Sequence, residues 1–187
     1  MMDWMLRQVF IRDIEEQCAF ALGSAQGINE GLRDTSRTQD QVWFSIRSLL
    51  TAAANISKCL WPAPRRETAA QFADRGKVLR DLLAVEEDSP LANRDLRNHF
   101  EHMDERLESW WLTDPSHNIA RRIIGPFDRT IVGLPAESMF EQFDPVTACV
   151  AFRGDVFELQ LLVDEISRLK RRASDFLAQP APPPDER

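Results

Sequence analysis

The chain has 187 residues, of which 43% are hydrophobic and 28% charged, with a formal net charge of −7. This length favours one domain around a single core, and the composition is typical of a globular rather than a disordered chain. The negative charge argues against broad, non-specific nucleic-acid binding, which depends on neutralising many phosphates. No apolar run reaches the roughly 20 residues that a membrane span needs.

The beginning of the chain does not resemble a secretion signal, because Asp13, Glu15 and Glu16 follow closely on the first residues. The three cysteines are Cys18, Cys59 and Cys149, and no two of them have the spacing of a metal site or a redox motif. We interpret them as small buried hydrophobic residues in a reducing compartment. The sequence therefore predicts a cytoplasmic protein with no membrane partner.

Apolar residues recur at spacings of three and four along most of the chain, which is the period of a helix with one buried face. The five stripes are Ile11, Ile14, Cys18, Ala21, Ala25 and Ile28; Val42, Ile46, Leu49, Ala53, Ile56 and Leu60; Ala69, Phe72, Gly76, Leu79 and Leu83; Leu96, Phe100, Met103, Leu107 and Trp110; and Leu159, Leu162, Ile166, Leu169, Ala173 and Phe176. They predict a mainly α fold, an antiparallel bundle of about five helices.

Local signals suggest where these helices begin and end. Thr38 and Gln41 have the spacing of a capping box, and Ser89-Pro90 supplies an N-cap and a first-turn proline. Gly23, Gly27 and Gly31 weaken the end of the first helix, which we expect to stop or bend there.

Residues 113–153 break the helical rhythm with prolines and glycines. Asp144-Pro145 is a good turn pair between two apolar runs, so this insertion is expected to hold a small β-hairpin before the last helix. Asp155 and Glu158 are expected to open that helix. The sequence thus predicts one domain over 1–177 and a disordered, proline-rich tail over 178–187.

The densest group of chemically active residues lies within 94–102, in the fourth stripe. It holds two of the three histidines, His99 and His102, together with Arg94, Arg97 and Asn98. Histidine titrates near neutral pH, and arginine carries a fixed, forked positive charge suited to phosphate. On one continuous helix, Asn98 and His102 stack one turn apart on the face opposite the apolar stripe.

This pattern resembles the HEPN superfamily, small α-helical domains found in many bacterial RNases and toxins. Their signature is an arginine, a polar residue, three further residues and a histidine, and Arg97-Asn98-His99-Phe100-Glu101-His102 fits it. The overlapping frame from Arg94 to His99 fits as well, so these two residues are secondary candidates. We prefer the first frame, since asparagine follows its arginine and His102 lies further from the apolar stripe.

The resemblance implies a metal-independent endoribonuclease without a cofactor, of the kind found in toxin or defence systems. His102 would help to activate a ribose 2′-hydroxyl, Arg97 would stabilise charge on the phosphoryl oxygens, and Asn98 would position the phosphate or orient the histidine. The motif spacing separates Arg97 and His102 by about 140° around a helix, so a second copy of the helix would help to complete the pocket. The expected partners are RNA, a second copy of the chain in a two-fold dimer, and a protein partner such as an antitoxin.

The sequence also departs from the pattern. A tyrosine that is modified in one toxin branch is replaced by Asp104, and the chain contains no tyrosine, so that regulation is not expected. Acidic residues around the motif would repel an RNA backbone unless further arginines contribute, among Arg65, Arg66, Arg75 and Arg106.

Three alternatives remain open for this segment. The histidines can pair with neighbouring carboxylates and have no function beyond that. His99 and His102, one turn apart, can bind a metal ion with Asp104 or Glu105 as a third ligand. The same surface can also serve a non-catalytic, dimeric protein-interaction module.

Overall fold

A computed structural model describes residues 2–34, 38–63, 74–93, 95, 98 and 102–180. Its described helices are α1 (Trp4–Arg33), α2 (Gln39–Leu60), α3 (Arg75–Leu82), α4 (Met103–Thr113) and α5 (Leu159–Leu177). The strands are β1 (Ile123–Ile124), β2 (Gln142–Asp144), β3 (Cys149–Phe152) and β4 (Asp155–Glu158). The predicted mainly α class is confirmed. The third stripe's Ala69 and Phe72, and the tail beyond residue 180, lie outside the described residues.

The long helices pack through the faces that the apolar stripes predict. α1 contacts α2 and α5, and residues of all three lie in one hydrophobic core. The fully buried members of the stripes are Ile11, Ile14 and Cys18 on α1, Ile46, Leu49, Ile56 and Leu60 on α2, and Ile166, Leu169 and Ala173 on α5. Burial of these side chains is the main stabilising contribution to the fold. No helix within the described segments is long and apolar enough to cross a bilayer.

The first helix does not stop at its glycines. It runs as one helix through Gly23, Gly27 and Gly31 and ends at Arg33, so the predicted stop at the glycines is wrong. A Cβ atom on Gly27 would lie 2.7 Å from Ser45 Oγ, and one on Gly31 would lie 2.7 Å from Val42 Cγ2. These two glycines therefore allow α1 and α2 to approach closely, which outweighs the entropic cost of glycine in a helix.

Three strands of the insertion and β4, which follows it, form a four-stranded sheet in the order β1-β2-β3-β4, larger than the predicted hairpin. β1 pairs with β2 in parallel, and the other two pairings are antiparallel. Asp155 does not open the last helix as expected, because it begins β4; Glu158, the last residue of that strand, occupies the N-cap of α5. Between β3 and β4, Arg153 and Gly154 both have positive φ, 51° and 93°, as a two-residue type I′ turn requires.

The region of the motif also differs from the expected single helix. α4 begins at Met103, and His102 occupies its N-cap rather than the middle of a helix. Ser89 caps a short 3-10 turn at Pro90–Ala92 instead of the motif helix, and its hydroxyl accepts a hydrogen bond from the Leu91 N–H at 3.3 Å. Residues 94, 96–97 and 99–101 lie outside the described residues.

The apolar side of α4 packs on the sheet rather than on the main core. Trp110, Phe140 and Phe152 form a second cluster, against which Met103 and Leu107 pack. The Trp110 ring meets the Phe140 ring edge-on at 5.7 Å between centroids. The C-terminal end of the predicted stripe is thus packed against other residues, but against the sheet and not against the core of the long helices.

Candidate functional site

His102 lies at the junction between the motif segment and α4. Its backbone N–H donates to the Asn98 carbonyl at 3.0 Å, and its own carbonyl accepts from the Arg106 N–H at 3.1 Å. The first bond places Asn98 one helical turn before His102, as the sequence pattern predicts. The imidazole makes no capping hydrogen bond to the helix.

Among the described residues, the imidazole has one charged side chain within ion-pair distance, a carboxylate on α4. His102 Nδ1 lies 3.4 Å from Glu105 Oε1, with side chains 50% and 72% exposed. An exposed pair of this kind contributes about 0–1 kcal/mol to stability. The contact is an ion pair only when the ring is protonated, and it does not by itself fix the tautomer of the ring. This pairing is what the purely structural alternative expects, and it is also compatible with acid–base chemistry at Nε2.

Asn98 and His102 share one open hollow on the surface. Glu105, Arg106 and Ser109 complete its lining, and it encloses about 380 Å³. Arg106 is one of the arginines that the sequence suggested as additional positive charge. The hollow therefore combines a titratable ring, an amide, a hydroxyl and one cation, which can bind a phosphodiester, with one carboxylate, Glu105, which opposes an anion.

Three predicted site residues cannot be compared with this geometry. Arg97, Arg94 and His99 lie outside the described residues, as do Arg65 and Arg66. Arg75 is described, but it lies over the Phe10 ring at 4.8 Å and donates to the Lys58 carbonyl at 3.3 Å, so it supports the packing of α3. Within the described segments no group of three or more metal-ligating side chains comes together. The metal alternative depends on His99.

Each of the adjacent aromatic pairs Trp43-Phe44 and Trp110-Trp111 has one buried and one exposed ring. Trp43 and Trp110 are buried, whereas Phe44 and Trp111 are 73% and 58% exposed. The Trp111 ring stacks on the His117 ring, with centroids 3.8 Å apart and planes 8° apart. This stack closes one face of Trp111 to a nucleobase, so of these two exposed rings Phe44 is the more open.

A polar network that the sequence did not reveal ties the end of α4 to the sheet. Asp114 Oδ2 accepts hydrogen bonds from the Ser138 hydroxyl at 2.6 Å and from Trp110 Nε1 at 3.0 Å. The other oxygen accepts from the hydroxyl and backbone N–H of Ser116. Together the bonds from Ser116, Ser138 and Trp110 hold the pKa of Asp114 well below its usual range. The network fixes the far end of the helix that carries His102.

Cys18 and Cys149 are buried, as the sequence predicts, whereas Cys59 is only partly buried. Burial raises the pKa of the Cys18 thiol to about 12 and that of Cys59 to about 11, with Asp13 adding to the effect at Cys59. A thiol with a pKa this high is a poor nucleophile at neutral pH. Neither residue is therefore a candidate for the site.

The second feature missed by the sequence is an arginine cluster, by which we mean Arg47, Arg121 and Arg122 around Glu141. Glu141 is completely buried. One of its oxygens accepts hydrogen bonds from Arg47 on α2 and the other accepts from Arg121, at 3.2 and 3.3 Å. Arg122 Nε lies 4.0 Å from the same carboxylate. Arg47 and Glu141 are 94 residues apart, so no local pattern could have indicated the pairing.

Comparisons with models of protein families, with curated proteins and with solved structures gave no match.

Proposed function

We propose that the chain is a HEPN-like, cytoplasmic endoribonuclease that needs no metal ion and acts through His102. The fold proposed with this activity is an antiparallel helical bundle carrying the sheet as an insertion. The observation that carries the proposal is the hollow that Asn98 and His102 share, since it gives the histidine of the motif a solvent-accessible ring beside an amide. Support from the sequence comes from the arginine, asparagine and histidine of the motif at residues 97, 98 and 102.

The chemistry assigns a separate role to each group. His102 Nε2 takes the proton of a ribose 2′-hydroxyl, whose oxygen attacks the adjacent phosphorus. A new 2′-O–P bond forms and the P–O5′ bond breaks, which leaves a 2′,3′-cyclic phosphate and a 5′-alkoxide that takes a proton from solvent water to become the 5′-hydroxyl. Arg97 and Arg106 are the cations proposed to stabilise the charge on the phosphoryl oxygens. We propose that a second copy of the chain completes this pocket in a two-fold dimer.

The test is cleavage of mixed RNA by the purified chain in EDTA. His102→Ala should lower the rate about a hundredfold or more, the usual contribution of a general base. Its helicity by circular dichroism should stay intact, because the imidazole caps nothing and is half exposed. His117→Ala is the matched control, since that ring lies against Trp111 and away from the hollow. Unchanged cleavage by His102→Ala would remove the assignment.

A second candidate is a non-catalytic module that binds a protein through α4. The observation in its favour is that Trp111 and Leu112, on the helix that follows His102, are 58% and 84% exposed. Exposed apolar groups of this size mark protein-interaction surfaces in many proteins. If this candidate is correct, the chain should turn over no RNA at any concentration of the protein. Leu112→Ser should then lower the oligomeric mass measured by sedimentation.

A further inference from the structure

Glu141 holds two guanidinium groups in fixed orientations. Arg47 and Arg121 each use Nε and Nη2 to donate to its carboxylate. The Nη1 atoms of both arginines make no hydrogen bond or ion pair with any described residue. Because the carboxylate is fully buried while the two arginine side chains are 40% and 38% exposed, the outer edges of the guanidinium groups face solvent. Two such edges can each donate hydrogen bonds to one anion.

The arginine cluster carries more positive than negative charge. Three arginines stand against the carboxylates of Glu141 and Asp40, because Arg122 Nη1 also contacts Asp40 Oδ1 at 3.1 Å. The cluster therefore has a local excess of one positive charge, in a chain whose net charge is −7. A buried carboxylate below exposed guanidinium groups leaves the positive charge on the outside, where an anion can reach it.

The backbone at Arg122 is held in an unfavourable conformation. Its φ is +56°, a region that side chains other than glycine seldom adopt. Gln39 Nε2 donates to the Arg122 carbonyl, and Asp40 holds the guanidinium, so the beginning of α2 fixes this residue at both ends. Strain of this kind is concentrated at binding sites, where it places a side chain in advance of the ligand.

An exposed aromatic ring lies beside the cluster on α2. Phe44 is three residues before Arg47 and four after Asp40, so these side chains are neighbours on the helix surface. Its ring is 73% exposed, which leaves a face open for stacking. Nucleobases stack on such rings, while their phosphates pair with arginine.

We infer that Phe44 and the arginine cluster bind a phosphorylated nucleobase unit, with the base on the ring and the phosphate on the outer edges of Arg47 and Arg121. Such a unit comes either from a free nucleotide or from a single-stranded nucleic acid. This inference does not rest on the proposed nuclease, because it requires no cleavage and involves none of the residues of the hollow.

The test uses the full chain and a fluorescent deoxyadenylate strand of about ten nucleotides, which lacks the 2′-hydroxyl and so survives any ribonuclease activity. Binding is followed by fluorescence anisotropy across a range of salt concentrations. Phe44→Ala should weaken binding by about fivefold or more through lost stacking, with the salt dependence unchanged. Arg47→Gln should also lower the slope of log affinity against log salt by about 0.7, because one phosphate contact is lost.

Matched controls come from the same chain. Phe20 on α1 is exposed to a similar degree, and Arg129 is exposed and pairs with its neighbour Asp128, so Phe20→Ala and Arg129→Gln should bind as the parent does. If Arg47→Gln does not fold, Phe44→Ala decides, since Phe44 is not part of the hydrogen bonds around Glu141. Absence of binding by the parent, or equal weakening by Phe20→Ala and Phe44→Ala, would overturn the inference.

Competition separates the two sources of the ligand. Displacement of the strand by AMP at an equal concentration of nucleotide units indicates a free nucleotide, and displacement by unlabelled strand alone indicates a nucleic acid. Both results support the site. Binding that persists while RNA cleavage is absent would reject the nuclease and retain the inference.

Discussion

The glycines of α1 allow the packing of α1 against α2 to be tested by substitutions that differ only in the space around the new methyl group. Gly23, Gly27 and Gly31 lie on one helix, so replacing each by alanine gives the same gain in helix propensity, about 0.8 kcal/mol. What differs is the space for the new methyl group. No atom lies within 4 Å of a Cβ on Gly23, whereas a Cβ on Gly31 would lie 2.7 Å from Val42 Cγ2.

The expected free energies of unfolding follow from that difference. Gly23→Ala should stabilise the chain by about 0.8 kcal/mol, the full propensity gain. At Gly31 the methyl group meets a buried, β-branched valine with little rotamer freedom, and overpacking of this kind costs about 1–3 kcal/mol. Gly31→Ala should therefore be destabilising by about 1 kcal/mol net. Gly27→Ala should fall between them, because the Ser45 hydroxyl that it meets can rotate away.

The assay is urea unfolding at equilibrium, with the thermal midpoint as a second measure. In a chain of this length each kcal/mol moves Tm by about 2–4 °C, so Gly23→Ala and Gly31→Ala should move it in opposite directions. Equal stabilisation by both substitutions would refute a close approach of α1 and α2 at Gly31.

Three further predictions concern titration and buried charge. Because hydrogen bonds hold the pKa of Asp114 below its usual value of 3.8, its contribution to stability is complete above that value and is lost as the pH falls below it. Asp114→Asn should flatten this acid limb in pH-dependent unfolding, and an unchanged limb would contradict the network. The pKa of Cys18 is raised from 9.0 to about 12 by burial, so stability is complete below pH 9 and falls by at most about 4 kcal/mol as the pH rises towards 12. Cys18→Ala should lack this alkaline loss, and a parallel decline in parent and variant would contradict it. Glu141→Gln should destabilise by about 3 kcal/mol, because it leaves the arginine cluster without its buried counter-charge, and an unaltered unfolding midpoint would show that the carboxylate is not needed there.

The mainly α class follows from the spacing of the apolar residues. Several details of the fold depend instead on contacts between elements that are distant in the sequence. The stripes of α1, α2 and α5 predict which faces are buried. Gly27 and Gly31 were interpreted from their low helix propensity, whereas the deciding fact is the neighbouring helix, which local sequence cannot show. The β3–β4 turn did carry a signal, since the polar segment Arg153-Gly154-Asp155 separates the apolar run 149–152 from Val156 and Phe157.

The candidate site was only partly accessible to sequence reasoning. The pairing of Asn98 with His102 follows from a spacing of four, and Arg106 was named as additional charge. The N-cap position of His102 was missed because the apolar stripe continues from Leu96 to Met103 without a break in its period. The arginine cluster joins α2 to the inserted sheet across long separations, and only the tertiary structure brings Glu141 beneath Arg47 and Arg121.

The most direct measurement for the proposed nuclease is single-turnover cleavage of one RNA strand, in EDTA, beside the same strand with a 2′-deoxy unit at the mapped cleavage point. If His102 activates the 2′-hydroxyl, the RNA yields a 2′,3′-cyclic phosphate, the deoxy strand resists cleavage there, and His102→Ala cuts neither. Equal cleavage of both strands, or parent-like cleavage of the RNA by His102→Ala, would contradict the proposed chemistry.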